Sequence, residues 1–458
     1  MSGFVFSNDH LAPTPSSSDS SHSLRLWVRF FESVFVLIIL IMRFVVLIAP
    51  RFDLPSTLGS FFRSRGNWYL RALSLILYTC PKQGESRMPQ MEITRRQLGR
   101  VASVLTAGAA LPFYNESALA QRAAGRREMP PDAVRINENE NPLGPCTDAL
   151  EAIYQVAKFG GRYSPHNEAG ELVKTSAELE GLKPAYITAF AGSSDPLHRA
   201  VCAFTSPTRG LVMGDPGYES GAGTARFIGA KVTHVPLRKD YSHDVVAMTK
   251  TDSTAGLIYI VNPNNPTGTL TSRADIEYVL ANQPKGCVLL LDEAYLHFSA
   301  AQTAMDLVAA DKDLIILRTF SKIYGMAGIR AGFAMGRPDL LDKLRPFGVG
   351  FLPITGVAAA TASLKSKTVV AQRRKINKDI RDNVFEFLEA KKIAYVPSEA
   401  NHFMMDVKRP GGEVVSALAD QKVFIGRLWP AWPTHVRVSI GTQDEMDKFK
   451  AALVKVMA

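Results

Sequence analysis

Cysteine is scarce and never paired: the 458-residue chain holds four, Cys80, Cys146, Cys202 and Cys287, far apart along the sequence. No zinc-ligand spacing and no redox pair can be drawn through them, so they read as packing residues and no metal site is expected. A distributed positive charge is missing as well. The formal net charge is +10, but residues 1–127 carry 15 Lys/Arg against 7 Asp/Glu, which leaves 38 against 36 for residues 128–458. The basic character belongs to the leader, and the globular part has no nucleic-acid footprint. With 46% hydrophobic residues the chain can bury a large core, and its length argues for more than one domain.

An unbroken membrane-spanning run is also absent. Residues 34–49 approach the needed length, but Arg43 interrupts them, and a charge at that depth costs about 3 kcal/mol. One reading is a signal anchor. The other places residues 1–87, a Ser/Pro-rich and hydrophobic extension, outside the translated protein, because a second leader begins just downstream. Met88 and Met91 precede Arg95-Arg96; residues 101–113 carry no charge; Ala118-Leu119-Ala120 leads to Gln121. A basic start, an apolar core and a small-residue exit make a cleavable secretory signal. The adjacent arginines resemble a twin-arginine signal, the route for folded, cofactor-loaded proteins. Residues 88–120 are therefore expected to be a signal peptide, with initiation at Met88 or Met91 and export to the periplasm. The membrane enters only through this leader. The alternative is a cytoplasmic enzyme whose leader is misread.

From about residue 128 the chain reads as one enzyme-like body. A polar arm, Asn137 to Pro145, is followed by an expected helix from Thr147 through Val156, a break at Gly160 to Pro165, and a second helix from Glu171 to Leu182. Strands and helices then alternate, which argues a parallel sheet. The expected strands are Ala185–Ala191, one beginning at Leu211, Leu257–Val261, Val288–Leu291 and one beginning at Leu314, with Ala331–Met335 continuing the series. A helix-rich stretch, Arg373 to Lys392, and short strands near Phe403 and Val436 read as a smaller α+β part.

The ends of these strands carry the chemistry. In an open α/β sheet ligands sit at the carboxyl ends of strands, often at a helix N-terminus. Gly192-Ser193-Ser194-Asp195-Pro196 has the small polar residues and early proline of such a terminus, and suits a phosphate. Thr319, Ser321 and Lys322 follow the strand that begins at Leu314, and Arg330 lies eight residues beyond Lys322. A lysine flanked by anion-binding groups suits a cofactor that carries both an aldehyde and a phosphate. Asp292 ends an apolar strand, where a carboxylate needs a cationic partner. If that partner is a pyridine nitrogen, the carboxylate keeps it protonated. Tyr295 and Asn265 are placed to reach an oxygen on the same ring.

The motifs Asn262-Pro-Asn-Asn-Pro-Thr-Gly268, Asp292-Glu-Ala-Tyr295 and Thr319-Phe-Ser-Lys322 with Arg330 resemble those of the class I/II aminotransferases, pyridoxal-phosphate (PLP) enzymes of fold type I. The arm Asn137 to Pro145, the Arg162-Tyr163 turn and Arg437 to Thr442 are similar to the histidinol-phosphate aminotransferase branch. The resemblance covers about residues 130–458. It implies an α/β fold with a large PLP-binding domain (161–347) built on a mostly parallel sheet. A smaller α+β domain would comprise residues 348–458 and part of an N-terminal segment, 128–160, that includes the arm.

It also implies roles. Lys322 forms the internal aldimine and shuttles the proton; Asp292 pairs with the pyridine nitrogen; Asn265 and Tyr295 hold the ring oxygen. Ser193, Ser194, Thr319, Ser321 and Arg330 grip the phosphate. Tyr163 reaches the phosphate of a neighbouring subunit, so a homodimer is implied. Arg437, with Asn141 and Arg427, binds the substrate. Two departures stand out. The branch places an aromatic ring over the cofactor where this chain has Gly221, leaving Tyr218 or another side chain to stack, or the cofactor face more open. The segment Ile425 to Pro433, with Trp429 and Trp432, is unusually aromatic and proline-rich and is expected to reshape the substrate pocket. The expected reaction moves an amino group between an amino acid, or an amino-phosphate such as histidinol phosphate, and a keto acid. The same constellation also serves lyases, racemases or oxidases. A non-catalytic sensing module is the reading from another class, but its usual helix-turn-helix is replaced here by a hydrophobic leader.

Overall fold

The computed structural model describes residues 129–348 and 350–458; the leader readings, residues 1–120, lie outside them. Twelve strands are described: β1 (Val134–Ile136), β2 (Ile187–Phe190), β3 (Leu211–Asp215), β4 (Val232–Pro236), β5 (Leu257–Val261), β6 (Val288–Asp292), β7 (Leu314–Thr319), β8 (Gly332–Gly336), β9 (Ala394–Tyr395), β10 (His402–Asp406), β11 (Val423–Ile425) and β12 (His435–Ser439). Helices α1 (Thr147–Ala157), α2 (Glu168–Glu180), α3 (Ser194–Phe204), α4 (Ser220–Phe227), α5 (Val245–Lys250) and α6 (Arg273–Asn282) belong to the first half. The second half adds α7 (Met305–Ala309), α8 (Pro338–Asp342), α9 (Ile354–Lys365), α10 (Val369–Ala390), α11 (Gly411–Asp420) and α12 (Gln443–Met457).

The main sheet has the order β2-β8-β7-β6-β5-β3-β4. Strands β4, β3, β5, β6 and β7 are parallel, and every residue of β5, β6 and β7 is buried. Uniformly apolar, β-branched-rich runs such as Leu257-Ile-Tyr-Ile-Val261 suit a layer covered on both faces. Strand β8 departs from the expected series: it runs antiparallel to both β7 and β2. A parallel return needs a crossover, usually through a helix. Residues 320–331 instead form a compact loop that turns straight back, with Phe320 N–H donating to Ala331 O.

Two large apolar cores follow, with a third small cluster of Val396, Met404 and Trp429. The larger surrounds the main sheet and takes in residues of α1 and α9 (Ala149, Val357, Ala360), helices that lie outside 161–347 and pack against each other. The smaller unites Val134 and Ile136 with Val384, Leu388, Phe403, Val436, Phe449 and Leu453. It is organised by a three-stranded antiparallel sheet, β12-β10-β9, and by β1 pairing in parallel with β11. Helix α12 starts with a capping box: Thr442 Oγ accepts from Glu445 N–H at 3.2 Å, and Glu445 Oε2 accepts from Thr442 N–H at 2.8 Å.

A buried ion pair braces the main sheet beside its chemical edge. Arg318 in β7 lies 2.7 Å from Glu293, which follows β6 directly. The same carboxylate accepts from Thr303 Oγ and Ala304 N–H. Removing one partner of such a pair strands the other, at about 3–5 kcal/mol, whereas removing both is far milder. Arg318→Met should therefore lower the urea-unfolding free energy by that amount, and Arg318→Met with Glu293→Gln should recover a large part of it. Equal losses in the single and double variants would show that the pair is not what braces this edge.

Candidate active site

The loops after β2, β5, β6 and β7 meet at the carboxyl edge of the parallel strands, because parallel strands bring their ends to one side. A cleft of about 240 Å³ opens there, and its lining includes Ser193, Ser194, Asn265, Asp292, Tyr295, Thr319, Ser321, Lys322 and Arg330. All nine were expected from the sequence to serve one site, and all nine line one cleft.

Asp292 is the last residue of β6 and is 4% exposed. Its Oδ2 accepts from the Tyr259 hydroxyl at 2.9 Å and its Oδ1 from Ala294 N–H at 3.1 Å. Burial pushes its pKa up to about 6; the Tyr259 hydrogen bond and the Lys322 charge pull it back only in part. Lys322, just beyond β7, donates from Nζ to Glu138 O at 3.1 Å and lies 5.6 Å from the centre of the Tyr295 ring. The Tyr295 hydroxyl receives the side-chain amides of Asn139 at 3.1 Å and Asn265 at 3.5 Å. His402 meets the same ring edge-on, with centroids 4.7 Å apart.

At the other end of the cleft the groups suit an anion. Ser193 and Ser194 open helix α3. Thr319 Oγ donates to Ser321 Oγ at 3.0 Å, and Arg330 Nη1 donates to Ser321 Oγ at 3.1 Å and to Ala327 O at 2.8 Å. Burial lowers the Arg330 pKa from its ordinary value. Gly192 has φ +95°, a conformation that favours glycine, and a Cβ there would lie 2.1 Å from Arg330 Nη2, so any other residue would be strained and would push the guanidinium aside. A buried carboxylate short of a cation, a lysine amine in the same cleft, and a helix terminus with hydroxyls and a guanidinium beyond it match a pyridine, an aldehyde and a phosphate in turn. The residues present fit pyridoxal phosphate.

The other expected residues lie elsewhere. Arg437, in β12, is fully buried; it donates to Asn265 Oδ1 at 2.9 Å and to Asn137 O at 2.6 Å, one bond away from the cleft lining. Asn141 braces the arm, donating to Ile323 O at 3.0 Å, and borders a neighbouring cleft instead. Arg427 is held by Glu219 at 2.6 Å. Tyr163 is 79% exposed and stacks on Phe351, away from the cleft of its own chain. A Cβ at Gly221 would touch Leu197 and Val201 of α3 at 3.4 Å, so this position faces a helix, while Tyr218 lines the cleft. Tyr259 and Asn139 were missed. A tyrosine inside an all-apolar strand was the available signal, since a buried phenol seeks a partner; Asn139 had no signal beyond its polar arm.

Comparison with known proteins agrees with this geometry. Residues 131–453 match the profile of the family described as aminotransferase class I and II. The chain is 36% identical over 335 residues to histidinol-phosphate aminotransferase 1 of Nitrosococcus oceani, covering 71% of this chain and 89% of that protein. It is 31% identical over 338 residues to histidinol-phosphate aminotransferase of Moorella thermoacetica, covering 71% and 86%. Among solved structures it is similar to histidinol-phosphate aminotransferase from Sinorhizobium meliloti in complex with pyridoxal-5'-phosphate, with a TM-score of 0.68, 27% identity and coverage of 77% and 96%.

The Asp292 environment has a stability consequence. Its folded pKa is raised above the ordinary 3.8, so below that value the group is protonated folded or unfolded and carries no penalty. As pH rises toward about 6, the unfolded chain loses its proton first and the cofactor-free fold loses about 3 kcal/mol. Cofactor-free Asp292→Asn, which has no such proton to lose, should melt above cofactor-free wild type at pH 8, with the gap closing toward pH 4. Equal melting at pH 8 would mean the carboxylate is already compensated.

Proposed function

The chain belongs to the class I and II aminotransferase family, a PLP-dependent amino transfer is its activity, and on that premise we propose which residues carry the reaction and where it takes place. The observation that carries the assignment is a buried lysine amine sharing one cleft with a buried, raised-pKa carboxylate. Bound pyridoxal phosphate supplies an aldehyde for the amino group and a ring that accepts electrons from the reacting carbon.

The protein's own residues do the rest. Lys322 Nζ anchors the cofactor and moves the proton from the substrate's α-carbon. Asp292, held by Tyr259 and Ala294 N–H, presents a fixed negative charge to the ring nitrogen. Tyr295, with Asn139 and Asn265 on its hydroxyl, orients the ring, and the Ser193–Ser194 terminus with Thr319, Ser321 and Arg330 binds the phosphate. Arg437, whose guanidinium donates to Asn265 Oδ1 and Asn137 O, takes the substrate's carboxylate. The amino group passes between an amino acid, or an amino-phosphate of the kind named in the relatives, and a keto acid.

The enzyme works as a homodimer in which each chain's Tyr163 serves the other's site. The exposed aromatics Tyr154, Tyr163 and Phe351 support this, as apolar surface suited to a second subunit. Export by a twin-arginine route is supported by Arg95-Arg96, the charge-free stretch 101–113 and the concentration of excess positive charge before residue 128. The cofactor is then loaded before transport.

Two outcomes test this. Lys322→Ala should keep a folded dimer but lose turnover and the yellow, borohydride-reducible bond to cofactor. A variant that stays active or keeps that bond overturns the assignment. Changing Arg95 and Arg96 together to lysine should trap folded, active enzyme inside the cell, and the exported form should begin near Gln121. Unchanged export, or an intact chain from Met1 on N-terminal sequencing, rejects the leader reading.

A further inference from the structure

The residue that opens β10 presses on the cleft tyrosine and on the loop after β5 at once. His402 is fully buried, and its ring meets that of Tyr295 with centroids 4.7 Å apart and planes at 70°. Its Nε2 lies 3.2 Å from Asn264 O. A carbonyl can only accept, so Nε2 carries the proton and donates. Asn264 precedes Asn265, whose side-chain amide reaches the Tyr295 hydroxyl at 3.5 Å. One imidazole thus touches the tyrosine ring and the backbone beside one of its hydroxyl partners.

His402 is itself firmly seated. Ser398 Oγ donates to His402 O, and Glu399 N–H donates to Gly268 O at 2.8 Å. Gly268 has φ +73°, and a Cβ there would collide with Ser398 Oγ, so the turn before β10 sits directly on the Asn262–Gly268 loop. Across the smaller sheet, His402 is the register partner of Ser439. The Ser439 hydroxyl donates to Asn139 Oδ1, and Asn139 supplies the other amide on the Tyr295 hydroxyl. The paired strands β10 and β12 therefore hold this tyrosine at its ring and at its hydroxyl.

We propose that His402 is a positioning residue for the reaction: it fixes the Tyr295 ring and the Asn264–Asn265 backbone together, so that hydroxyl and amide converge on one point of the cofactor ring. This rests on the reading in which Tyr295 orients that ring. Each half of the imidazole has its own task. An edge-on aromatic contact favours a narrow range of ring planes, and the hydrogen bond pins the carbonyl next to Asn265. An apolar side chain of the same size would fill the space without the bond, and an amide would make the bond without the ring. Geometry is what such a residue controls, and a misplacement of about 1 Å at a reacting centre costs about 100-fold in rate.

A double-mutant cycle with Tyr295 tests this. His402→Ala removes both contacts, and His402→Phe keeps an aromatic edge but no donor. Asn264 O also accepts from Gly268 N–H at 2.7 Å, so neither change strands the carbonyl. His402→Ala should lower kcat about tenfold or more. It should also weaken pyridoxal-phosphate binding to the cofactor-free protein about tenfold, read by spectrophotometric titration. His402→Phe should fall between wild type and His402→Ala. In a Tyr295→Phe background no hydroxyl remains to be placed, and either change should cost less than about threefold in both measurements. Equal losses in the two backgrounds make His402 a packing residue and overturn the proposal, as do wild-type kcat and affinity in His402→Ala. If His402→Ala does not fold, His402→Phe carries the same comparison. A Tyr295→Phe variant that itself matches wild type removes the Tyr295 reading, and this proposal with it; an impaired Tyr295→Phe with additive losses removes the His402 proposal alone.

Discussion

A carboxylate at the end of a fully buried strand sets the terms for everything around it. Asp292 cannot be left in an apolar layer without hydrogen bonds and a cation nearby, and burial raises its pKa because the protein alone supplies them only in part. Tyr259 and Ala294 N–H hold its two oxygens, and Lys322 approaches from the neighbouring strand, whose Leu317 is the register partner of Asp292. The remaining deficit is what a protonated ring would fill. The next residue, Glu293, is also a buried carboxylate, yet it belongs to a different environment. Successive residues at a strand end point to opposite faces, so Glu293 meets Arg318 while Asp292 faces the cleft. One Asp-Glu dipeptide thus supplies both the chemical group and the brace beneath it.

Much of this was legible in the sequence because polar residues at the ends of apolar runs are few and each has little else to do. Asp292 after four apolar residues, Lys322 after Leu314-Ile-Ile-Leu, and Asn265 and Ser193 in turn-rich loops announced a cleft at one sheet edge. What stayed hidden depends on contacts between distant segments. The direction of β8 turns on how a loop spends its residues, which no periodicity records. The role of Gly221 depends on which way its Cα points, and it points at α3. Arg427 looks like a substrate ligand from its position alone; only the fold brings Glu219, more than two hundred residues earlier, to within 2.6 Å of it.

The polar arm ties these pieces together through two backbone carbonyls and one side-chain amide. It leaves β1, which pairs with β11 beside the smaller core, and crosses to the cleft within a few residues. Asn137 O accepts from Arg437, Glu138 O from Lys322, and the Asn139 amide reaches Tyr295. Asn139 holds the path: its φ is +54°, a left-handed conformation that asparagine tolerates better than most residues. Its N–H donates to Ser439 Oγ, whose hydroxyl donates back to Asn139 Oδ1, both at 2.9 Å.

This arrangement places Arg437 and Lys322 on adjacent carbonyls of one short segment. A carboxylate arriving at Arg437 competes for donors now given to Asn137 O and Asn265 Oδ1. The first of these neighbours the carbonyl that holds Lys322, and the second belongs to the side chain that donates to Tyr295. Anion binding and the placement of the lysine and the ring tyrosine are therefore linked through groups one residue or one side chain apart, with no need for a domain movement to carry the coupling.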